Sequence, residues 1–435
     1  MILDQIVESG CLSPLTEAAA AAAGTESPTP DSRQARRDAV LEAATAEFNA
    51  RGVGRASFSR IARAVGLTRA ALYYYVKDRQ DLVRQCYERT CAQMAADLAA
   101  SEAGGGQGLG RLLAFLRRSL DPERAPSAVL SELDYLEGEA RQTIVRAHGD
   151  NIARLRALIR GGVEDGSLRP CDDEAIAQAM FGVIAWVPLS VDWVADTDPS
   201  YRARTVEAVA ELVSDGIAAD PAFEFTPPIS ARAFAPPPPG AFDREAQAAA
   251  KLEQILSTAS AIFNRKGVEA ASLDEITAAL GATKGAFYHY LDNRTELMTR
   301  CYSRAFGLFE AFVDAADRLG RDGLEKGLIG LALNVQAHTQ GLAPLVQMVG
   351  VESLPAPVRA DIRRRSRVLQ QRFTGFQVEG IAEGVTRQVD VDAVSQLGAG
   401  VFEWLPKWFA PGDPRAETRL SDEYLKLFIA GLRRR

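Results

Sequence analysis

One stretch of forty residues occurs twice in this chain, and this repeat limits the possible fold more than any other sequence feature. Residues 48–87, FNARGVGRASFSRIARAVGLTRAALYYYVKDRQDLVRQCY, align without a gap with residues 263–302, FNRKGVEAASLDEITAALGATKGAFYHYLDNRTELMTRCY, and seventeen positions are identical. The shift is 215 residues throughout. A second set of matches, at a shift of 218, pairs Gly166, Trp186 and Pro188 with Gly384, Trp404 and Pro406. The repeated unit therefore fills nearly half of the 435-residue chain.

The composition narrows the class of protein. Hydrophobic residues make up 47% and charged residues 25%, and no apolar run reaches the ~18 residues of a membrane helix, so we expect a soluble protein without a membrane partner. Five cysteines without CxxC spacing and only three histidines make a structural zinc site improbable. We expect reduced thiols, a cytoplasmic location and no cofactor.

Charge is distributed unevenly between the two copies of the repeat. The net charge is −7, yet residues 33–89 contain twelve Arg or Lys against six Asp or Glu. Residues 244–304 contain eight against seven. The first copy therefore has a local basic patch suited to phosphate contact, and the second is nearly neutral.

The spacing of apolar residues predicts an all-α fold. Val40, Ala44 and Phe48 recur every four residues, and no sustained two-residue alternation is found. Two short helices joined by a glycine-containing turn are expected in each copy, from about Ser57 to Ala64 and from Thr68 to Tyr75 in the first. In the second copy Ser272, Gly281 and Thr283 hold the equivalent places, and the second helix is expected from Thr283 to Tyr290. This is the helix-turn-helix arrangement, whose second helix enters the major groove of DNA.

The strings FSRIARAVGLTRAALYYYVKDRQDL and SLDEITAALGATKGAFYHYLDNRTEL both resemble the N-terminal motif of the TetR family of transcriptional regulators. The resemblance covers the first three helices of each unit and the start of the fourth, and it implies binding to an operator in double-stranded DNA. The residues implied to bind DNA are Ser57, Thr68, Arg69, Ala70, Tyr73, Tyr75 and Arg79 in the first unit and Ser272, Thr283, Lys284, Gly285, Tyr288, Tyr290 and Arg294 in the second.

Different roles follow from the positions in this motif. Arg69 and Lys284 can donate to guanine O6 and N7. The resemblance implies that Tyr73 and Tyr288 reach the DNA backbone or a thymine methyl, and that Tyr75, Arg79, Tyr290 and Arg294 contact phosphates, which fix register without reading sequence. The alternative is that such residues are ordinary surface of a helical bundle, and for Phe48, Ile61, Leu72 and Leu82 we favour core packing.

The resemblance also implies a variable C-terminal helical domain that binds a small-molecule effector and dimerises. Here the two C-terminal regions would pair within one chain as an intramolecular pseudo-dimer, with further homodimer formation left open. The strings GVFEWLPKWFAPGDP and FGVIAWVPLSVDWV resemble the tryptophan-rich late helix of members that respond to acyl-CoA thioesters. Trp186, Trp193, Trp404 and Trp408 either contact such a hydrophobic effector or fill the interface between the halves.

The repeat and the resemblance together predict the domain organisation. We expect a disordered leader at 1–31, helix-turn-helix domains at 32–90 and 244–305, helical ligand and dimerisation domains at 91–220 and 306–435, and a proline-rich, polyproline-like linker at 221–243.

Two rival functions remain at this point. An enzyme is improbable, because the glycine-rich string GGGQGLG lacks the GK[ST] ending of a phosphate-binding loop. A protein–protein module or antirepressor, which keeps the scaffold but has lost one or both DNA surfaces, is the stronger rival. Asp274 and Glu275 motivate it, because they begin a helix that should lie near phosphates.

Overall fold

The computed structural model describes residues 30–125, 127–194, 200–346, 351, 354–410, 412–413 and 419–435. Within these ranges the predicted all-α fold is confirmed, and β structure is limited to two isolated bridges. No helix among these residues is both long and apolar enough to cross a membrane. The expected disordered leader lies, except for its last two residues, outside the described residues.

The two halves contain the same helices in the same order. In the described part of the first half these are α1 (Pro30–Arg51), α2 (Phe58–Ala64), α3 (Arg69–Leu72), α4 (Arg79–Ala103), α5 (Gly108–Ser119), α6 (Gly138–Glu164), α7 (Asp173–Val194) and α8 (Tyr201–Asp215). In the second half they are α9 (Arg244–Lys266), α10 (Leu273–Ala279), α11 (Lys284–Tyr288), α12 (Arg294–Leu319), α13 (Gly323–Thr339), α14 (Ala356–Ala382), α15 (Val391–Trp408) and α16 (Arg419–Ala430). Each helix of the first half therefore has a counterpart in the second half, from α1 and α9 through to α8 and α16.

Local sequence explains where the fourth helix of each half begins. Asp78 precedes α4, and its Oδ1 accepts a hydrogen bond from the backbone N of Asp81 at 2.8 Å. Asn293 precedes α12 and accepts from the backbone N of Glu296 at 2.9 Å. Such N-caps satisfy backbone donors that the helix itself leaves unpaired. They set the start of the helix that connects each motif to its bundle.

An asparagine ties each motif to the bundle of its own half. Asn49 in α1 donates from Nδ2 to the carbonyl oxygen of Ser127 at 2.9 Å and accepts from the backbone N of Val129 at 3.0 Å. Asn264 in α9 makes the equivalent pair of bonds in the second half. The loop that follows α5 or α13 is therefore connected directly to the first helix of the motif.

The most extensive contact between the halves is the crossing of α7 and α15. A Cβ on Gly182 would lie 2.5 Å from the carbonyl oxygen of Gly400 and 2.8 Å from the Cβ of Trp404. A Cβ on Gly400 would lie 3.0 Å from the Cβ of Trp186. Each glycine leaves room for the tryptophan of the opposite helix, so the contact is reciprocal.

The end of each half forms backbone hydrogen bonds with the other half. Ala218, after α8, forms an antiparallel bridge with Thr386, which follows α14. Arg433, after α16, forms one with Leu168, which follows α6. The two bridges are equivalent under the repeat, so the same surfaces of both halves are used twice.

The segment between the halves differs from the expected polyproline-like linker. Residues Ala231–Phe234 form a 3₁₀ turn, and Ala231 is fully buried against the second half. The expected polyproline-like conformation does not hold for residues 231–234, because Phe234 packs on Phe312 of α12 and the backbone N of Ala231 donates to Gln336 of α13. The prolines at 236–239 are exposed.

Replacement of Gly182 tests the contact between α7 and α15. In Gly182→Ala the added methyl group lies inside the contact distance of the Gly400 carbonyl, so the helices must separate. We expect a loss of about 1–3 kcal/mol in the free energy of unfolding, measured by chemical denaturation. The matched control is Gly149→Ala in α6, where a Cβ meets no atom within 4 Å and helix propensity should increase stability. Equal stability of the two variants would contradict the packing argument.

Candidate nucleic-acid interface

The first motif has the helix-turn-helix geometry expected from the sequence. Ser57 caps α2 and accepts from the backbone N of Arg60 at 3.3 Å. Thr68 caps α3 and accepts from the backbone N of Ala71 at 3.1 Å. Gly66 in the turn between them has φ of +69°, a conformation that residues with a Cβ rarely adopt. The turn thus directs the start of α3 away from the domain.

Residues directly after this turn lie on the surface. Thr68, Arg69 and Ala70 are exposed, and Arg69 has no ion pair within the described part of the chain. Tyr73 is 47% exposed, with its ring centroid 5.8 Å from that of Phe58. Sequence reasoning missed Tyr74, which is 80% exposed and was hidden within a run of three tyrosines. The exposed start of α3 and these rings form one accessible face.

The second motif repeats this geometry. Ser272 caps α10 and Thr283 caps α11, and each hydroxyl accepts a backbone hydrogen bond three residues later. Gly281 in the turn has φ of +61°. Gly285 is exposed, and Tyr288 is 52% exposed. Both motifs therefore present the same backbone framework.

Both second helices are shorter than the sequence suggested. The structure ends α3 at Leu72 and α11 at Tyr288, whereas helices to Tyr75 and Tyr290 were expected. After α3 the backbone N of Tyr73 bonds to the carbonyl of Ala70, three residues earlier, and the next two residues do the same. The helix therefore tightens into 3₁₀-type turns instead of continuing as α-helix.

The charges around Arg69 and Lys284 distinguish the exposed faces of the two motifs. Lys284 Nζ lies 2.7 Å from the Asp274 carboxylate, and this hydrogen bond raises the pKa of Lys284. The position of Asp274 is occupied by Ser59 in the first motif. The cation expected to read bases is thus already paired in the second motif, whereas Arg69 in the first is not.

Arg79 and Arg294 are directed into their own domains. Arg79 Nη1 donates to the carbonyl oxygens of Val53 at 2.7 Å and Gly54 at 3.1 Å, and the guanidinium lies over the Phe58 ring. Arg294 bonds in the same way to carbonyls in the loop after α9 and lies over Phe263. These bonds hold the loop that precedes α2 or α10. Phosphate contact by either arginine stays a prediction.

Tyr75 and Tyr290 are half-buried at the ends of the second helices. The carbonyl oxygen of Tyr75 accepts from Gln85 Nε2 at 3.4 Å, and the Tyr290 ring lies 5.2 Å from that of His289. Their contact with phosphate also stays a prediction.

The two motifs touch each other. Arg55 Nε, in the loop after α1, lies 2.6 Å from Oε1 of Glu269, in the loop after α9. A Cβ on Gly54 would lie 2.7 Å from the Cβ of Glu269. The same loop of each motif forms this contact, so it helps to set the position of α3 relative to α11.

Two of the four candidate tryptophans lie between the halves. Trp404 donates to Gln178 Oε1 at 3.2 Å, and its ring lies 4.7 Å from that of Phe181. Trp186 is buried against Gly400, while the Trp408 ring is half-buried near Phe409. The side chain of Trp193 lies outside the described residues. These positions match interface filling, and effector contact stays a prediction.

A cavity of about 40 Å³ lies inside the bundle of the first half. Thr90, Gln93 and Asp97 of α4 place polar groups on one wall, and Asp97 accepts from Arg124 Nη1 at 2.7 and 2.9 Å. The opposite wall is apolar and comes from α7. Six of the lining residues are Thr90, Gln93, Met94, Asp97, Phe181 and Ile184.

Comparison with known proteins identifies both parts of the repeat. The family model for bacterial regulatory proteins of the tetR family matches residues 40–86 and 255–301. The model for the tetracyclin repressor-like C-terminal domain matches residues 111–195 and 320–432. Each model thus matches once in each half.

Individual relatives match one half at a time. The HTH-type transcriptional repressor KstR2 of Mycolicibacterium smegmatis is 21% identical over 197 residues, which is 44% of this chain and 94% of the relative. The TetC protein of transposon Tn10 from Escherichia coli is 34% identical over 61 residues, which is 14% of this chain and 31% of the relative. The crystal structure of AibR in complex with isovaleryl coenzyme A and operator DNA is 19% identical, with a TM-score of 0.35, and covers 41% of this chain and 98% of AibR.

Removal of Asp274 tests the difference between the two faces. Asp274→Ser installs the residue of the first motif and releases Lys284 for phosphate or base contact. We expect duplex DNA affinity to rise on the order of threefold to tenfold at low salt, with a steeper salt dependence. The control is Asp361→Ser in α14, which removes another exposed ion pair, outside both helix-turn-helix motifs. An effect of Asp274→Ser no larger than that of the control would show that the pair does not limit DNA binding.

Proposed function

The chain belongs to the TetR family of bacterial regulatory proteins, as two family units in tandem, and from this premise we propose a repressor that binds an operator in duplex DNA and is released by a small molecule. Members of this family are DNA-binding regulators and not enzymes. We infer a cytoplasmic location, where such an operator would be accessible. The observation that carries the proposal is the pair of capped helices with exposed N-terminal residues, one in each half.

We propose that the first unit reads DNA through Thr68, Arg69 and Ala70, with Tyr73 and Tyr75 beside them. Thr68, Arg69 and Ala70 are exposed, and Arg69 forms no ion pair within the described part of the chain. Both observations support this assignment. A guanidinium presents two donors in fixed geometry to guanine O6 and N7. Arg79 and Ser57 position the motif, because their hydrogen bonds are made within the domain.

In the second unit Thr283, Lys284 and Gly285 are the proposed readers, with Tyr288 and Tyr290 beside them. Lys284 is a mobile point charge and must first leave Asp274, so this unit should read its half-site less sharply. Ser272 and Arg294 have the positioning roles of their counterparts. Complete loss of the second DNA surface is the antirepressor alternative, which the Lys284–Asp274 pair favours, and the DNA selection below decides it.

The proposed quaternary arrangement is an intramolecular pseudo-dimer. It is supported by the reciprocal contacts of Gly182 and Gly400 and by the two equivalent β-bridges. A two-fold interface uses the same surface of both partners, and these contacts have that property. We retain the domain bounds of 32–90, 91–220, 244–305 and 306–435 as part of this proposal, with part of the 221–243 segment packed on the second half.

For the effector we propose a hydrophobic metabolite such as an acyl-CoA thioester. The tryptophan-rich string in α15 and the cavity beside α7 support this class, because both lie in the helical domains. The cavity admits only a few waters as it stands, so the effector must push helices apart. This movement would change the separation of the motifs.

Selection of bound fragments from the genomic DNA of the source organism tests the DNA proposal. We expect an operator with two unequal half-sites, because Arg69 and Lys284 differ. Arg69→Ala should cost about 1–3 kcal/mol and relax base choice in one half-site, and Lys284→Ala should cost less in the other. The mass of the complex on DNA must be measured as well, since two chains pairing through their first units would produce a symmetric site. No bound duplex at low salt would favour the antirepressor.

Titration with acyl-CoA species, including isovaleryl coenzyme A, tests the effector proposal. Binding should change the emission of the buried Trp404 and weaken DNA binding by roughly 5- to 150-fold. By linkage, DNA should weaken effector binding by the same factor. Trp404→Phe should lose most of the signal and Trp408→Phe should keep it. Flat fluorescence with unchanged DNA affinity across the panel would remove the thioester class and leave the regulator intact.

A further inference from the structure

Residues 229–235, which we call the strap, are held on the second half by specific hydrogen bonds. The backbone N of Ala231 donates to Gln336 Oε1 at 3.0 Å. Ser230 Oγ and the backbone N of Arg232 both meet Gln340 Oε1, at 2.8 and 3.1 Å. The strap is therefore a docked element and not a loose connection between the halves.

Phe234 of the strap packs on Phe312 of α12, and the equivalent residue of the first half is not aromatic. The Phe234 ring lies 4.9 Å from Phe312 in an edge-to-face arrangement, and Phe312 is fully buried. Phe312 corresponds to Asp97, because the 215-residue shift holds both at Cys86 and Cys301 and at the starts of α5 and α13. Asp97 lines the cavity of the first half.

The partners of these two equivalent residues differ accordingly. In the first half the loop after α5 supplies Arg124, which binds Asp97, and Ser119 Oγ lies 3.5 Å from the same carboxylate. In the second half the strap supplies Phe234 to Phe312. A charged, hydrogen-bonded pair in one half is thus replaced by an aromatic pair in the other.

Other residues that line the cavity of the first half are also replaced by apolar residues in the second half. Equivalent residues on α4 and α12 are Thr90 and Ala305, Gln93 and Leu308, and Met94 and Phe309. Phe309 lies 6.4 Å, between ring centroids, from Phe402, which holds the place of Ile184. The second half has therefore lost polar lining groups and gained ring volume where the first half has its cavity.

We propose that the strap is a permanent internal occupant of the effector site of the second half, so that each chain binds a single effector, in the first half. This rests on the proposed function in that the first-half cavity is taken as an effector site. The part of the effector that fits this cavity is compact and mainly apolar, such as a short acyl group, with its uncharged thioester end facing Thr90, Gln93 and the Asp97–Arg124 pair. An occupant that is part of the chain is present at high effective concentration and is not displaced by dilution. One half then responds to the effector while the other stays locked.

Xenon-pressurised crystals of the full chain test this proposal, because xenon binds against apolar cavity walls such as the α7 side of this cavity. We expect xenon in the wild type beside Met94 in the first half and none beside Phe312. In Phe234→Ala a second xenon should bind beside Phe312. The matched control is Phe242→Ala, which truncates a 99% exposed phenylalanine of the same linker and should leave one xenon. Xenon in both halves of the wild type, or in neither, would overturn the proposal.

Hydrogen exchange provides a second readout if the vacated space in Phe234→Ala collapses. The amides of Ala231 and Arg232 should be protected in the wild type and in Phe242→Ala, and should exchange at least about tenfold faster in Phe234→Ala. Equal exchange in all three proteins would show that Phe234 does not hold the strap. Because neither readout involves DNA, a chain with one xenon and a protected strap that binds no duplex would contradict the proposed regulator and not the strap.

Discussion

Gly182 and Gly400 let α7 and α15 approach until backbone atoms of one helix touch side-chain atoms of the other, and this crossing is the most extensive contact between the halves. Each glycine accepts the tryptophan of the opposite helix, and the ring of Trp404 continues into a buried cluster with Phe181 and His148. Burial lowers the pKa of His148 to about 4, so the histidine stays neutral within this cluster at ordinary pH. Side chains larger than hydrogen at the two glycines would separate the helices and, with them, the bridges at the chain ends.

The same helix α15 is connected to both helix-turn-helix motifs. One turn beyond Trp404, Lys407 Nζ donates to the carbonyl oxygen of Arg265, the penultimate residue of α9, at 3.3 Å, and to that of Ser131 in the first half. Next to Ser131, Glu132 accepts from the backbone N of Val53 in the first motif at 2.5 Å. A shift of α15 at the tryptophan interface would therefore be transmitted to both motifs, which is the mechanical requirement for an effector to alter DNA binding.

Duplication has kept the scaffold of the two units and changed their chemistry. The caps, the turn glycines and the asparagines that tie motif to bundle are present in both halves. The side chains that would meet partners differ, as with Arg69 against the paired Lys284, and Asp97 against Phe312. The two subunits of a homodimer cannot differ in this way, because any substitution appears in both of them. Fusion in one chain allows one half to specialise while the other supports it.

The sequence by itself determined the repeat, the all-α fold, both helix-turn-helix motifs and the residues at their turns. These features are local: a cap such as Thr68 bonds to a backbone N three residues later, and a turn glycine acts through its own φ. The tertiary structure alone decided that Arg79 faces inward, that Trp186 and Trp404 lie between the halves, and that the strap docks through Phe234. Each of these depends on partners distant in sequence, such as Phe312 for Phe234 and Gly400 for Trp186. The spacing of residues along the chain does not predict such contacts, because they form only when the helices pack together.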